Sequence, residues 1–294
     1  MKKQLLLFLA SPALVLAQLT PGLQSYTIGD RAYDVTTPTD YDSSKEYPIV
    51  FELHSFNEDK TQMHDQNVIN EQQYISVRPE GKSILGYRVW NAWTVTKTMG
   101  FGDDVPYITS VYNDVKTKTG SSFNASKVYI YGFSNGGAMA MKMVEETDLF
   151  KAAVIRSMSF EKGHEIPSSA SKIPMIFIHG TNDETVPYQG GKGQYASLIS
   201  PDFESVKTTV NKWAVYSGLT QPVEIKYLKN SSTLSDKDFY FREYSNASVP
   251  IYFFVIDGGV HATDQQFSNS NIKRAMIKLA QNPKCYGIYR ENCK

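Results

Sequence analysis

The chain has 294 residues, with 30 basic and 30 acidic side chains, a formal net charge of zero and 41% apolar residues. Charge balance argues against a nucleic-acid binder or a surface held to anionic membranes, since both need a basic excess. The apolar fraction excludes a disordered chain. Aromatic residues at 13%, led by 19 Tyr, fit either a β-containing core or a surface that grips rings.

The first 17 residues read apart from the rest. Lys2 and Lys3 precede a nearly all-apolar stretch, Leu5 to Leu16, and Val15-Leu16-Ala17 supplies small or modest residues where a signal peptidase reads. This pattern predicts a secretory signal over 1–17, cleaved after Ala17, and a single catalytic domain over 18–294. The apolar run is too short for a membrane span, which needs roughly 20 residues. Loss of Lys2 and Lys3 leaves 28 basic against 30 acidic side chains. In an oxidising compartment Cys285 and Cys293, the only two cysteines, are expected to bridge. Asn124, Asn230 and Asn246 head N-x-S sequons, about as many as composition gives by chance.

Downstream, Ser25–Thr36 alternates around a Gly29-Asp30 turn and predicts a hairpin. Tyr47–Leu53 and Tyr74–Arg78 predict strands, the second stopped by Pro79-Glu80-Gly81. Asp103 and Asp104 can cap a helix running to Lys118, with Val105, Ile108, Tyr112 and Val115 at helical spacing and Gly120 ending it. A strand over Lys127–Gly132 and a helix over Gly136–Glu146 follow. Further strands are predicted at Ala152–Ile155, Ile173–Ile178, Val223–Tyr227 and Ile251–Ile256, with helices at Glu204–Tyr216 and Asn271–Gln281. Alternating strands and helices imply an α/β fold with a mostly parallel central sheet and helices on both faces.

Gly132-Phe133-Ser134-Asn135-Gly136 matches G-x-S-x-G between a predicted strand and a predicted helix. At such a turn a serine hydroxyl projects from the end of the sheet, and the following helix turns its positive end toward a developing oxyanion. A nucleophilic serine needs a base and an orienting carboxylate, in the order Ser, acid, His on loops after later strands. Asp183 follows the strand Ile173–Ile178, with Glu184 and Asp257 as rival acids. His261 follows Ile251–Ile256 on a Gly258-Gly259 loop and is the one of five histidines that fits both order and position. His179 is set aside as structural. An oxyanion hole needs two backbone N–H donors, here from Asn135 and from the Ser55-Phe56 loop. Tyr87, Trp90, Trp93 and Tyr188 are candidates to line a substrate cleft by ring stacking; core packing is the alternative for both tryptophans.

Together these residues resemble the secreted esterase branch that holds polyhydroxybutyrate depolymerases and feruloyl esterases of the carbohydrate esterase family 1 type. The resemblance rests on Tyr47–His54, Val77–Gly81, Trp90-Asn91-Ala92, Asp103-Asp104-Val105, Gly132–Met139, His179–Tyr188 and Gly258–His261. It implies an α/β-hydrolase fold with Ser134 as nucleophile, Asp183 as acid, His261 as base and the amides of Phe56 and Asn135 as oxyanion donors. It implies no metal or organic cofactor. The family has His-Gly where this chain has His54-Ser55, so the assignment of Phe56 requires a negative φ at Ser55. Ala262-Thr263 follow the histidine where the polyester branch often has Trp-Pro. The expected substrate is therefore a feruloyl or related plant cell-wall ester, ahead of a polyhydroxyalkanoate. A non-catalytic binding protein on the same fold comes last, since all three triad candidates are present. No nucleic-acid or membrane partner is expected.

Overall fold

The computed structural model describes residues 18–84, 86–92, 100, 102–194, 201–219, 224–228, 239–244, 249–262 and 269–281. Trp93, Cys285, Cys293, Asn230, Asn246 and residues 1–17, where a secretory signal is expected, lie outside them. No helix among the described residues is long and apolar enough to cross a membrane.

The strands are β1 (Gly22–Ile28), β2 (Arg31–Thr37), β3 (Ile49–Leu53), β4 (Ile75–Pro79), β5 (Lys82–Ile84), β6 (Tyr87–Val89) and β7 (Val128–Phe133). They continue with β8 (Ala153–Arg156), β9 (Met175–Gly180), β10 (Gly191–Lys192), β11 (Asp202–Phe203), β12 (Glu224–Leu228), β13 (Phe239–Tyr244) and β14 (Ile251–Ile256). The helices are α1 (Gln66–Gln72), α2 (Val105–Thr119), α3 (Asn135–Glu146), α4 (Val206–Tyr216) and α5 (Asn269–Gln281).

Ten strands form one sheet in the order β1-β2-β4-β3-β7-β8-β9-β14-β13-β12. The run from β4 to β14 is parallel, and antiparallel strands flank it at both edges. The strand expected at Val223–Tyr227 is one of those antiparallel edges, paired with β13, a strand the sequence reading did not place. Side chains alternate by the two-residue period of a strand. In β7, Val128 and Ile130 join one core with Ile108 and Val111 of α2, Met139 and Met143 of α3, and Val210 and Trp213 of α4. Tyr129 and Tyr131 face the opposite core, with Val68 and Ile69 of α1 and Ile272 and Met276 of α5. Both faces of the sheet are thus covered, which is why its central strands read as continuous apolar runs.

Two helix starts differ in a way that matters. Ser205 caps α4 conventionally, its Oγ accepting from Thr208 N at 3.1 Å. Ser134 occupies the N-cap position of α3 but makes no side-chain cap bond, which leaves its hydroxyl for other work. Asp104, expected to cap α2, instead accepts from Asn91 N at 2.6 Å and pairs with Arg31.

Candidate active site

Ser134 sits between β7 and α3 at φ 53 and ψ −122, a region that L-residues avoid. The flanking glycines are required by space. A Cβ on Gly132 would lie 2.1 Å from Gly136 O, and one on Gly136 would lie 2.2 Å from Leu53 O. The sharp turn therefore brings α3 against both its own strand and the end of β3. It also carries Ser134 next to the loop that follows β3.

The base and acid come from the loops after β14 and β9. His261 Nε2 lies 2.9 Å from Ser134 Oγ, and its Nδ1 lies 2.8 Å from Asp183 Oδ2. Oδ1 of Asp183 accepts from Thr185 N at 2.9 Å and Val186 N at 2.8 Å, so the turn's own backbone fixes the carboxylate. His179 Nε2 stands 2.8 Å from Val186 O and 3.2 Å from Asp183 Oδ2. Its Nδ1 is buried with no partner among the described residues, so the proton resides on Nε2, facing both oxygens. Burial alone would raise the Asp183 carboxyl, but the two imidazoles beside it hold it well below the usual carboxylate range. The rival acids lie elsewhere: Glu184 is exposed, and exposed Asp257 stands 3.3 Å from Thr181 Oγ1.

The loop after β3 meets its backbone condition, because Ser55 is absent from the residues at positive φ. Asn57, at φ 57, takes the turn one residue after Phe56. The amides of Phe56 and Asn135 have no hydrogen-bond acceptor among the described residues. Beneath the loop, His54 is fully buried; Nδ1 donates to Ser55 O at 2.7 Å and Nε2 accepts from Gly81 N at 2.9 Å. Burial lowers this imidazole to about 4, so it is neutral at pH 7 and acts as a fixed bridge.

Comparison with known proteins shows what the chain is similar to. The family described as Phospholipase/Carboxylesterase matches residues 105–213, which include the serine elbow and the acid turn. A protein named probable feruloyl esterase C from Aspergillus terreus is 27% identical over 176 residues, 59% of this chain and 62% of that relative, so the match spans less than two thirds of the relative's length. Acetyl xylan esterase from Aspergillus awamori superposes with a TM-score of 0.56 at 17% identity, covering 82% of this chain and 94% of the other. A ferulic acid esterase of carbohydrate esterase family 1 from Anaeromyces mucronatus gives 0.53 at 14% identity, covering 90% and 92%.

The fold is that of an α/β hydrolase. Within it the sequence-predicted residues separate into three groups. Ser134, Asp183 and His261 converge, and the amides of Phe56 and of Asn135, the residue next to Ser134 in the chain, have no acceptor among the described residues. Trp90 corrects the expectation of a cleft residue: it is 0% exposed. Its Nε1 donates to His54 O at 3.0 Å, and its backbone exchanges bonds with the Asn135 side chain at 2.7 and 3.1 Å. Tyr188 is half-buried, stacked 6.3 Å from Phe253 and packed against the core rather than held open. Trp93 lies outside the described residues. Tyr87, the remaining candidate, is 48% exposed and stacks at 5.6 Å on Phe56. Sequence reasoning missed the hairpin of β5 and β6 that presents Tyr87, although Pro79-Glu80-Gly81 marked where the chain turns into it.

Proposed function

We propose that this α/β hydrolase is a secreted serine carboxylesterase acting on feruloyl or related phenolic esters of plant cell-wall polysaccharides. The observation that carries the reading is the unbroken line from Asp183 through His261 to Ser134, at 2.8 and 2.9 Å. His261 Nε2 takes the Ser134 proton as Oγ attacks the ester carbonyl carbon. The Phe56 and Asn135 amides receive the developing oxyanion, a donor role typically worth about 3–4 kcal/mol each. His261 then returns the proton to the leaving alkoxide, and an acyl-serine remains. Water, deprotonated by His261, attacks that acyl group and restores Ser134. Asp183, held ionised, keeps the imidazole in the Nδ1–H tautomer and stabilises the imidazolium.

The names of the Aspergillus terreus and Anaeromyces mucronatus proteins support a hydroxycinnamoyl acyl group. The Phe56–Tyr87 pair suits it chemically, because an exposed stacked edge beside an oxyanion donor can hold a phenolic ring. Secretion rests on the pattern of residues 1–17.

The test compares turnover of methyl ferulate, acetylated xylan and hydroxybutyrate oligomers by the full-length protein expressed in a secreting host. Methyl ferulate should be the fastest; turnover of the oligomers alone would overturn the substrate reading. Ser134→Ala and His261→Ala should each abolish the activity while the fold persists.

A further inference from the structure

We infer that Arg156 and Ser157, at the C-terminal end of β8, are positioning residues that set the gap between the nucleophile and its base. The inference rests on the reading of Ser134 and His261 as a catalytic pair. Arg156 O accepts the Ser134 amide at 2.9 Å, so the end of β8 holds the elbow from one side. From the other side, Ser157 Oγ donates to His261 O at 2.9 Å, and the Arg156 guanidinium donates to Ala262 O. The Arg156 guanidinium also lies 4.7 Å over the Phe133 ring, and Phe133 in turn lies 5.2 Å from the His261 ring. Two adjacent residues thus grip both partners of the 2.9 Å hydrogen bond between Ser134 and His261.

The backbone of Ser157 points the same way. It is fully buried at φ 51, with its amide bound to Ile178 O at 2.8 Å. Glycine would adopt that conformation without strain, whereas a serine there must be held by its surroundings. What the serine adds is its hydroxyl, and that hydroxyl is spent on the main chain of His261.

This separates stability from catalysis. Ser157→Gly relieves the backbone while removing the hydroxyl, and Ser157→Ala removes the hydroxyl while keeping the strain. With a short nitrophenyl ester, both variants should lose about 10- to 100-fold in kcat with KM within about twofold, as expected for sub-ångström misplacement of a reacting pair. Phosphorylation of Ser134 by diethyl nitrophenyl phosphate, which needs the same alignment, should slow in parallel. The glycine variant should melt at or above the wild-type temperature. Wild-type kcat in the glycine variant overturns the proposal, as does a loss of kcat that merely follows a lowered melting temperature. Ser134→Ala is measured alongside: turnover retained there would defeat the serine-esterase reading itself, a result distinct from either Ser157 outcome.

Discussion

Replacing Trp90 with Phe tests whether this ring holds the oxyanion loop or touches substrate. Phenylalanine keeps an aromatic ring in the buried site but deletes the Nε1 donor, leaving His54 O without its bond at 3.0 Å. Orphaning a buried polar group costs about 1–3 kcal/mol. The space vacated by the smaller ring adds about 1 kcal/mol for every 40 Å³ that does not collapse. A loss of roughly 2–4 kcal/mol is therefore expected from urea unfolding followed by far-ultraviolet circular dichroism. The same variant should lower kcat if the proposed oxyanion site is right, because the peptide of Trp90 is bonded twice to the Asn135 side chain and its ring lies tilted 5.0 Å from His54, two residues before Phe56. KM should hardly move. An unchanged unfolding midpoint combined with a several-fold rise in KM would refute this reasoning and return the ring to the substrate cleft.

His179 allows a paired comparison. Gln can place a donor where the imidazole Nε2 now meets Val186 O and Asp183, while Phe cannot. His179→Gln should therefore keep most of kcat, and His179→Phe should lose about tenfold or more through a misoriented acid; equal activities would make the contact irrelevant. Acid stability should reflect His54. Its folded value of about 4 lies below the ordinary 6.5, so the unfolded chain binds the proton first. The stabilisation is present above pH 6.5 and is lost as pH falls through 4, by about 3 kcal/mol in all. His64, also lowered by burial, acts with the same sign, whereas the Glu145 hydrogen bond raises His164 and acts oppositely. Urea midpoints measured on a His164→Gln background between pH 7 and 4.5 should fall steadily, and a level profile would contradict the assignment.

Much of the site was legible because its chemistry is bound to local geometry. Two glycines around a serine between a strand and a helix can be recognised without tertiary information, and Gly132 and Gly136 prove necessary at the distances of a forbidden Cβ. Asp183 and His261 were nominated because each follows a strand with turn residues around it, and the structure brings both to Ser134. The order of strands in the sheet was not legible, since β2 with β4, β3 with β7 and β9 with β14 pair across long stretches of sequence. The role of Trp90 was hidden for the same reason: an aromatic residue near a catalytic motif looks alike in sequence whether its ring is buried or open. Phe56 was nominated for its amide alone, and only the stack with Tyr87 gives its side chain a role.

Glu52, an acidic residue inside an otherwise apolar strand, shows how the opposite face of the sheet bears on the same site. It is fully buried and pairs with Lys273 of α5 at 3.0 Å, while Tyr74 OH donates to it at 3.2 Å. Lys273, equally buried, also donates to Met63 O. A buried pair of this kind is poor evidence of net stabilisation, since desolvation can exceed the attraction, but breaking one partner away leaves an uncompensated charge. Its physical value is therefore selective: misplacing α5 along the sheet would strand both charges. β3 leads directly into the loop that carries Phe56, and α5 is the next described element after the loop that carries His261. The ion pair thus fastens β3, which leads to Phe56, to α5, which follows the His261 loop, while Arg156 and Ser157 contact His261 and Ser134 at the end of β8; in the proposed mechanism these are the scaffolds of the oxyanion donor, the base and the nucleophile.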